Sequence, residues 1–127
     1  MNYLLDTHTI LWFFDGSEQL SKNAFEKIKN RNNQKNISIV SIWEVAIKMN
    51  IGKLQFESGF AGFQDLIDRS GINVLPIKKE HITGIFKLPM VHRDPFDRLI
   101  ISTAVSENIT LLTRDENIQK YDVLWEW

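Results

Sequence analysis

Asn2-Tyr3-Leu4-Leu5-Asp6-Thr7-His8-Thr9-Ile10-Leu11-Trp12-Phe13-Phe14 opens the chain with a short apolar run, a carboxylate and a longer apolar block. Tyr3, Leu4 and Leu5 show no polar alternation, so residues 2–6 read as a strand covered on both faces, the habit of a parallel sheet. The block around Trp12, Phe13 and Phe14 belongs to a first helix. Working outward, short apolar strand patterns recur at residues 36–41, 73–77 and 110–113. A last run, Val123 to Trp127, alternates like a half-buried edge strand. Helical patterns lie between them. One runs from a Ser21 cap to about Asn30, and another starts at Ser41-Ile42-Trp43-Glu44 and is ended by Gly52. Gly59 to Gly62 reads as a loose join before a short helix over 63–69 closed by Gly71, and a further helix covers about 79–86. Asp94-Pro95, a good N-cap followed by a residue suited to the first helical position, starts the last long helix, to about Glu107. Strands alternating with helices predict a three-layer α/β/α sandwich with a mostly parallel central sheet, as a single domain over residues 1–127.

Composition narrows the function. The absence of cysteine excludes disulfide frameworks, thiolate zinc sites, iron–sulfur clusters and cysteine nucleophiles. Fifteen Lys and Arg against sixteen Asp and Glu leave a net charge of −1, so no global field recruits a polyanion, and any such ligand must be held locally. The longest purely apolar run, Ile10 to Phe14, is far short of a membrane span, and the first residues lack the basic start of a signal peptide. A cytoplasmic protein with no membrane partner is expected.

Four acids fall at related places. Asp6 ends the first strand, Glu44 opens the helix after the second, Asp97 lies in the first turn of its helix, and Asp115 follows the fourth strand. In a parallel sheet these positions converge on the carboxyl edge, where α/β folds bind ligands. Clustered carboxylates raise one another's pKa unless a cation compensates them. With no thiolate and only His8, His81 and His92 scattered along the chain, the donors on offer are hard oxygens, which suit Mg²⁺ or Mn²⁺.

Each acid has a plainer explanation. Glu44 lies three after Ser41, as in a capping box, and four before Lys48, as in a helical ion pair; on these readings the helix presents a polar strip through Glu44 and Lys48 on an otherwise nearly enclosed surface. Asp97 can favour the helix dipole, and Asp115 can be first-turn decoration beside a Thr113–Glu116 capping box. The Asp-Pro cap accounts for Asp94. Asp6, directly after Leu5, is poorly placed for packing and well placed for a ligand. Arg98 can clamp a phosphate or pair with a carboxylate, with the structural role slightly favoured. Trp12 to Phe14 is core with some partner-facing surface, and a stacking role for nucleobases lacks a basic groove to support it. His8 and His92 can relay protons, but nothing in the sequence pairs them with a nucleophile.

Four segments together carry a resemblance: Leu4-Leu5-Asp6-Thr7-His8; Ser41-Ile42-Trp43-Glu44 with Lys48 and Gly52-Lys53-Leu54; His92-Arg93-Asp94-Pro95-Phe96-Asp97-Arg98; and Leu112-Thr113-Arg114-Asp115. In order and spacing, over nearly the whole chain, they are similar to PIN-domain ribonucleases, specifically the VapC-like toxins of type II toxin–antitoxin modules. The resemblance implies an α/β/α sandwich with a Mg²⁺- or Mn²⁺-dependent acidic site that hydrolyses single-stranded or loop RNA, water attacking the scissile phosphorus in line, and so inhibits translation. It places the acidic quartet on Asp6, Glu44, Asp97 and Asp115, with Asp6 and Asp97 as principal ligands. Thr7, Asp94, Arg98 and Thr113 would touch substrate or support the acids. It also implies a homodimer and a cognate antitoxin that inserts a segment into the active-site groove.

Two other function classes fit less well. A catalytically silent PIN fold would bind RNA or protein only, and loss of a quartet acid would favour it; none is lost. The stretch from Leu4 to Thr9 is also similar to the aspartate-nucleophile motif of haloacid-dehalogenase-like phosphatases, but His8 stands where the second Asp belongs.

Overall fold

Successive side chains of the first strand serve two different cores. Tyr3 and Leu5 join a cluster with Ile10, Ile28, Ile37, Val45, Phe63 and Ile67, whereas Leu4 joins one with Ile100, Ile101, Ala104, Leu111 and Ile118. The period of two along a strand thus divides its apolar residues between helices above and below the sheet. The computed structural model describes all residues from 1 to 127. In chain order the elements are β1 (Asn2–Leu5), α1 (Thr7–Asp15), α2 (Lys22–Lys29), β2 (Gln34–Ser38), α3 (Ile39–Asn50), α4 (Gly59–Arg69), β3 (Asn73–Leu75) and α5 (Lys79–Gly84). A 3₁₀ turn at Ile85–Lys87 leads on to α6 (Pro95–Glu107), β4 (Thr110–Leu112), α7 (Glu116–Gln119) and β5 (Trp125–Glu126).

The sheet order is β3-β2-β1-β4-β5, and all four pairings are parallel. The expected α/β/α sandwich is the fold found. Because the chain builds outward from β1 on one side and later returns through β4 on the other, the order reverses between β1 and β4. That switch point opens a crevice at the carboxyl ends of these two strands, the place where open parallel sheets take their ligands. No helix is long and apolar enough to cross a membrane.

Three details depart from the expected pattern. The second strand ends at Ser38 rather than Ser41, because Ser38 is in extended conformation and its hydroxyl accepts from the Val40 amide, so Ile39, Val40 and Ser41 form the first turn of α3. The Ser41–Glu44 capping box is therefore absent. The polar strip expected on α3 is turned inward at Glu44, which is only 3% exposed, while Trp43 is 60% exposed and meets the ring of Phe96 edge-on. Finally, α4 begins at Gly59, four residues earlier than expected, because Phe60, Phe63 and Ile67 make one apolar stripe that extends the helix through Gly62.

Candidate active site

Asp6 is the N-cap of α1. Its Oδ1 accepts from the Thr9 amide at 2.8 Å and from the Thr9 hydroxyl at 2.6 Å, and its Oδ2 accepts from the Thr113 hydroxyl. A cap is a structural role that the sequence reading did not assign to Asp6, although Asp followed by Thr at the third helical position is a legible cap signal. The carboxyl is 4% exposed. Burial pushes its pKa above the usual carboxylate range, against the opposing hydrogen bonds from Thr113 and Thr9 and the nearby His8.

Thr7, the next residue, reaches the opposite way. Its Oγ1 lies 2.7 Å from Glu44 Oε1 and 2.9 Å from Ser41 Oγ. A carboxylate only accepts, so the single Thr7 proton goes to Glu44 and Ser41 donates to Thr7. Lys48 Nζ closes on Glu44 Oε2 at 2.6 Å, the expected i,i+4 pair. Consecutive residues at the end of β1 therefore tie two of the four acids to one spot.

Thr113 links a third. Fully buried, it donates to Asp6 and accepts from the Asp115 amide at 3.0 Å. The cap of α7 is Asp115 itself, whose Oδ1 accepts from the Asn117 and Ile118 amides, so the expected Thr113–Glu116 capping box does not form. Asp94 caps α6 as expected, accepting from the Asp97 amide at 2.9 Å.

Asp97 reports the convergence most directly. Its carboxyl is pushed up to about 6, first by burial and then by the charges of Asp94, Asp115 and Glu44, with the His92 hydrogen bond working in the other direction. Only acids gathered at one place act on one another this way. His92 Nε2 lies 3.1 Å from Asp97 Oδ2, and His92 Nδ1 lies 2.8 Å from Tyr121 Oη. Arg98 Nη1 and the His92 amide both donate to that phenol, at 3.0 and 3.3 Å. The single phenolic proton has two acceptors in reach, His92 Nδ1 at 2.8 Å and the His92 carbonyl at 3.3 Å; given to the nearer Nδ1, it leaves Nε2–H to donate to Asp97. Tyr121 is the supporting residue that the sequence reading missed, and His92, weighed there only as a proton relay without a partner, finds its partners in Tyr121 and Asp97; nothing local in sequence joins positions 29 apart.

Arg98 takes neither role weighed from the sequence. It is 6% exposed, and its guanidinium donates to the carbonyls of Pro89 (2.8 Å) and Ile85 (3.3 Å) as well as to Tyr121, with no carboxylate or solvent-facing phosphate seat. The fork anchors the segment before α6.

A cleft of about 330 Å³ lies beside Asp6 and Asp115, walled by His8, Trp12, Gln19 and Arg114. A larger one of about 670 Å³, between α5 and α6, contains none of the four acids. As the side chains lie, no three carboxylate or imidazole groups surround a common point closely enough to hold an ion. Each acid instead has donors from the protein. The donor chemistry nevertheless fits a hard divalent cation, because a buried Asp6 and a raised Asp97 both mark negative charge that the protein leaves undercompensated.

A parallel α/β/α sandwich with carboxylates gathered over its switch point defines a class of α/β proteins with an acidic site at the sheet's carboxyl edge. The PIN domain family model matches residues 3–124, and the chain belongs to that family. No curated protein matches it. Among solved structures, the fold is similar to a chain of VapBC2 from Rickettsia felis bound to a DNA fragment from their promoter, with TM-score 0.74 and 19% identity over 99% of this chain and 98% of that one. It is also similar to a chain of VapBC-1 from nontypeable Haemophilus influenzae, with TM-score 0.71 and 22% identity over 99% and 97%. A toxin–antitoxin complex from Klebsiella pneumoniae matches with TM-score 0.58 and 22% identity over 89% and 86%.

Proposed function

We propose that the protein is a Mg²⁺- or Mn²⁺-dependent endoribonuclease, the toxin of a toxin–antitoxin pair, which hydrolyses RNA phosphodiester bonds and so inhibits translation. The observation that carries this reading is the placement of Asp6, Glu44 and Asp115 at the sheet's switch point, where Thr7 beside Asp6 bonds Glu44 and Thr113 joins Asp6 to the Asp115 amide, in a PIN-domain chain. Asp6 and Asp97 are the principal candidates to hold the ion, with Glu44 and Asp115 beside them. A bound divalent ion supplies charge that stabilises the developing pentacoordinate phosphorus and the leaving oxygen. The chain's own residues do the positioning. Thr9 and Thr113 fix Asp6, Thr7 and Lys48 fix Glu44, and the Tyr121–His92 pair aims a proton at Asp97. The similarity to toxin–antitoxin structures supports a cognate antitoxin as partner. A homodimer working in the cytoplasm is proposed alongside it on the family resemblance alone.

A second reading, a PIN fold that binds RNA or protein without cutting, is favoured by one observation: every quartet acid already has donors from the protein, and no three are grouped for an ion. One experiment separates the two. Purified protein, freed of any partner, is incubated with total host RNA in Mg²⁺, Mn²⁺ or EDTA beside Asp6→Asn and Asp97→Asn. Discrete products that need metal and vanish in both variants support the nuclease. Cleavage surviving in both variants sinks the site assignment, and no cleavage by a folded, metal-binding protein favours the binding module.

A further inference from the structure

Lys29-Asn30-Arg31-Asn32-Asn33-Gln34-Lys35 holds three cations and four amides and no acid, in a chain whose acids outnumber its bases by one. The stretch runs from the last turn of α2 into the start of β2, at the amino edge of the sheet and away from the quartet acids. Lys29, Arg31 and Lys35 converge on a cleft of about 270 Å³ floored by Phe13, Ile28 and Ile72. None of the three forms an ion pair; Lys35 Nζ reaches the Asn30 carbonyl, at 3.3 Å. Four larger clefts on the surface each hold a carboxylate or no charged side chain at all. Long cationic side chains lay their stems over an apolar floor and keep their charged ends in water, so this cleft has a positive rim.

We infer that this cleft is an anchoring site for the phosphate backbone of RNA, separate from the acids proposed to cut it. The inference rests on the nuclease reading above and says where that nuclease gains its hold on the strand. The helix dipole accounts for Lys29, because a cation in the last turn of α2 is favoured, but not for Arg31 or Lys35. Three like charges around one small cleft repel one another, and a phosphate seated between them turns that repulsion into attraction. A net charge of −1 supplies no general pull on a polyanion, and the acids at the carboxyl edge repel phosphate, so affinity for RNA has to come from cations gathered elsewhere. The Arg31 fork and two ammonium groups call for several oxygens close together, which a phosphate supplies and a single carboxylate of a peptide does not. In the register of the sheet Lys35 stands opposite Tyr3, three residues before Asp6, which sets the two sites at least about 10 Å apart along the strands. The anchored phosphates therefore belong to RNA that continues beyond the scission point. Contacts to phosphate carry no sequence information, so the site adds affinity and leaves the choice of sequence to other contacts.

The test measures binding of the full chain to a mixed-sequence RNA hairpin in EDTA, over a range of salt concentrations. One variant carries Lys29→Gln, Arg31→Gln and Lys35→Gln together. A control carries Lys53→Gln, Lys79→Gln and Lys87→Gln, exposed lysines elsewhere on the surface that remove the same charge. The cleft variant is expected to bind at least about tenfold more weakly and to lower the log–log salt slope by about 2 to 3, while the control keeps the slope. With Mg²⁺ present, the cleft variant should raise KM for the hairpin and leave kcat unchanged. Should the triple variant not fold, Lys29→Gln with Arg31→Gln, both exposed, serves instead and lowers the slope by about 1.4 to 1.8. A cleft variant that binds like wild type, or a control that loses as much slope, overturns the anchoring site, and metal-dependent cleavage by the same protein leaves the nuclease reading standing. A glutamate-rich peptide whose binding needs these three residues, while hairpin binding does not, overturns it in favour of a protein partner. A wild-type chain that neither binds the hairpin nor cleaves RNA overturns the nuclease reading and the anchoring site with it.

Discussion

Thr113, the residue after β4, donates its hydroxyl proton to Oδ2 of Asp6, the residue after β1, across 107 positions of sequence. The bond spans the switch point of the sheet, so it holds the acid exactly where the two halves of the fold diverge only as long as both strands keep their register, with Leu5 opposite Leu112. Thr113→Val keeps the shape and removes the donor. The buried carboxylate then loses one of its hydrogen bonds, and the expected cost is about 1–3 kcal/mol at neutral pH. Since Thr113 opposes the upward push of burial on Asp6, the variant raises that pKa further. A raised carboxylate pKa penalises the ionised form, so the deficit is full above the folded pKa and disappears on acidification, when Asp6 is protonated in both states. Urea unfolding at pH 8 and pH 5 should show the gap narrowing; an equal gap at both would separate the effect from Asp6 ionisation. Thr113→Ser should restore most of the loss.

Asp97 carries the same sign. Its carboxyl titrates at about 6 in the folded chain against 3.8 for the free group, so the native state binds protons more readily than the unfolded one between these values. Stability contributed by this residue therefore falls as pH rises from about 4 to about 6 and stays low above. Asp97→Asn, which still accepts from His92, should be more stable than wild type at pH 7.5 by roughly 1–3 kcal/mol and level with it near pH 4. Thermal unfolding across that range checks it, and a constant difference would show that neither burial nor the neighbouring carboxylates raise Asp97 in the folded chain.

Removal of a divalent ion supplies an independent readout. If the acids take Mg²⁺, a hundredfold excess over Kd stabilises the folded chain by about 2.7 kcal/mol, and EDTA abolishes the gain. The gain should shrink in Asp97→Asn and in Glu44→Gln, while Na⁺ at equal ionic strength leaves Tm unchanged. An equal rise in wild type and both variants would place the ion elsewhere.

Much of this arrangement was legible in the chain's order of residues. Short apolar strands without alternation, separated by capped helices, require a covered parallel sheet, and the carboxyl edge of such a sheet gathers whatever acids follow its strands. What was not legible depends on partners distant in sequence. Ile37, Ile39 and Val40, β-branched residues around Ser38, fit a strand as well as a helix start, and only the Ser38 cap settles it. Glu44 and Lys48 look like an exposed strip because periodicity shows that residues share a face, not which way the face turns; the Thr7 hydroxyl across the site is what draws Glu44 inward. Arg98 reads as a phosphate clamp or ion pair until the carbonyls of Ile85 and Pro89 are brought over it by a turn that the sequence marks only with Pro89.

Tyr121 is the residue through which this hidden support is best tested. Its hydroxyl accepts from Arg98 and donates to His92 Nδ1, and this order of protons is what leaves the His92 Nε2–H for Asp97. Tyr121→Phe retains the ring, which is buried in the core cluster that also holds Ile100, Ile101 and Leu111, and deletes only the hub of the network. Arg98 keeps its carbonyl partners, so the expected loss of stability is modest, about 0.5–1.5 kcal/mol. His92 is left free to move its proton to Nδ1, and Asp97 then faces an imidazole nitrogen that can no longer donate. Nitrogen chemical shifts of the His92 ring at pH 7.5 should move from a single Nε2–H tautomer toward a mixture, and RNA cleavage should fall along with them. Unchanged ring shifts in Tyr121→Phe would mean that Asp97 alone fixes the tautomer and that the phenol serves packing only. A Tyr121→Phe protein with mixed tautomers but full cleavage would remove His92 from the positioning of Asp97.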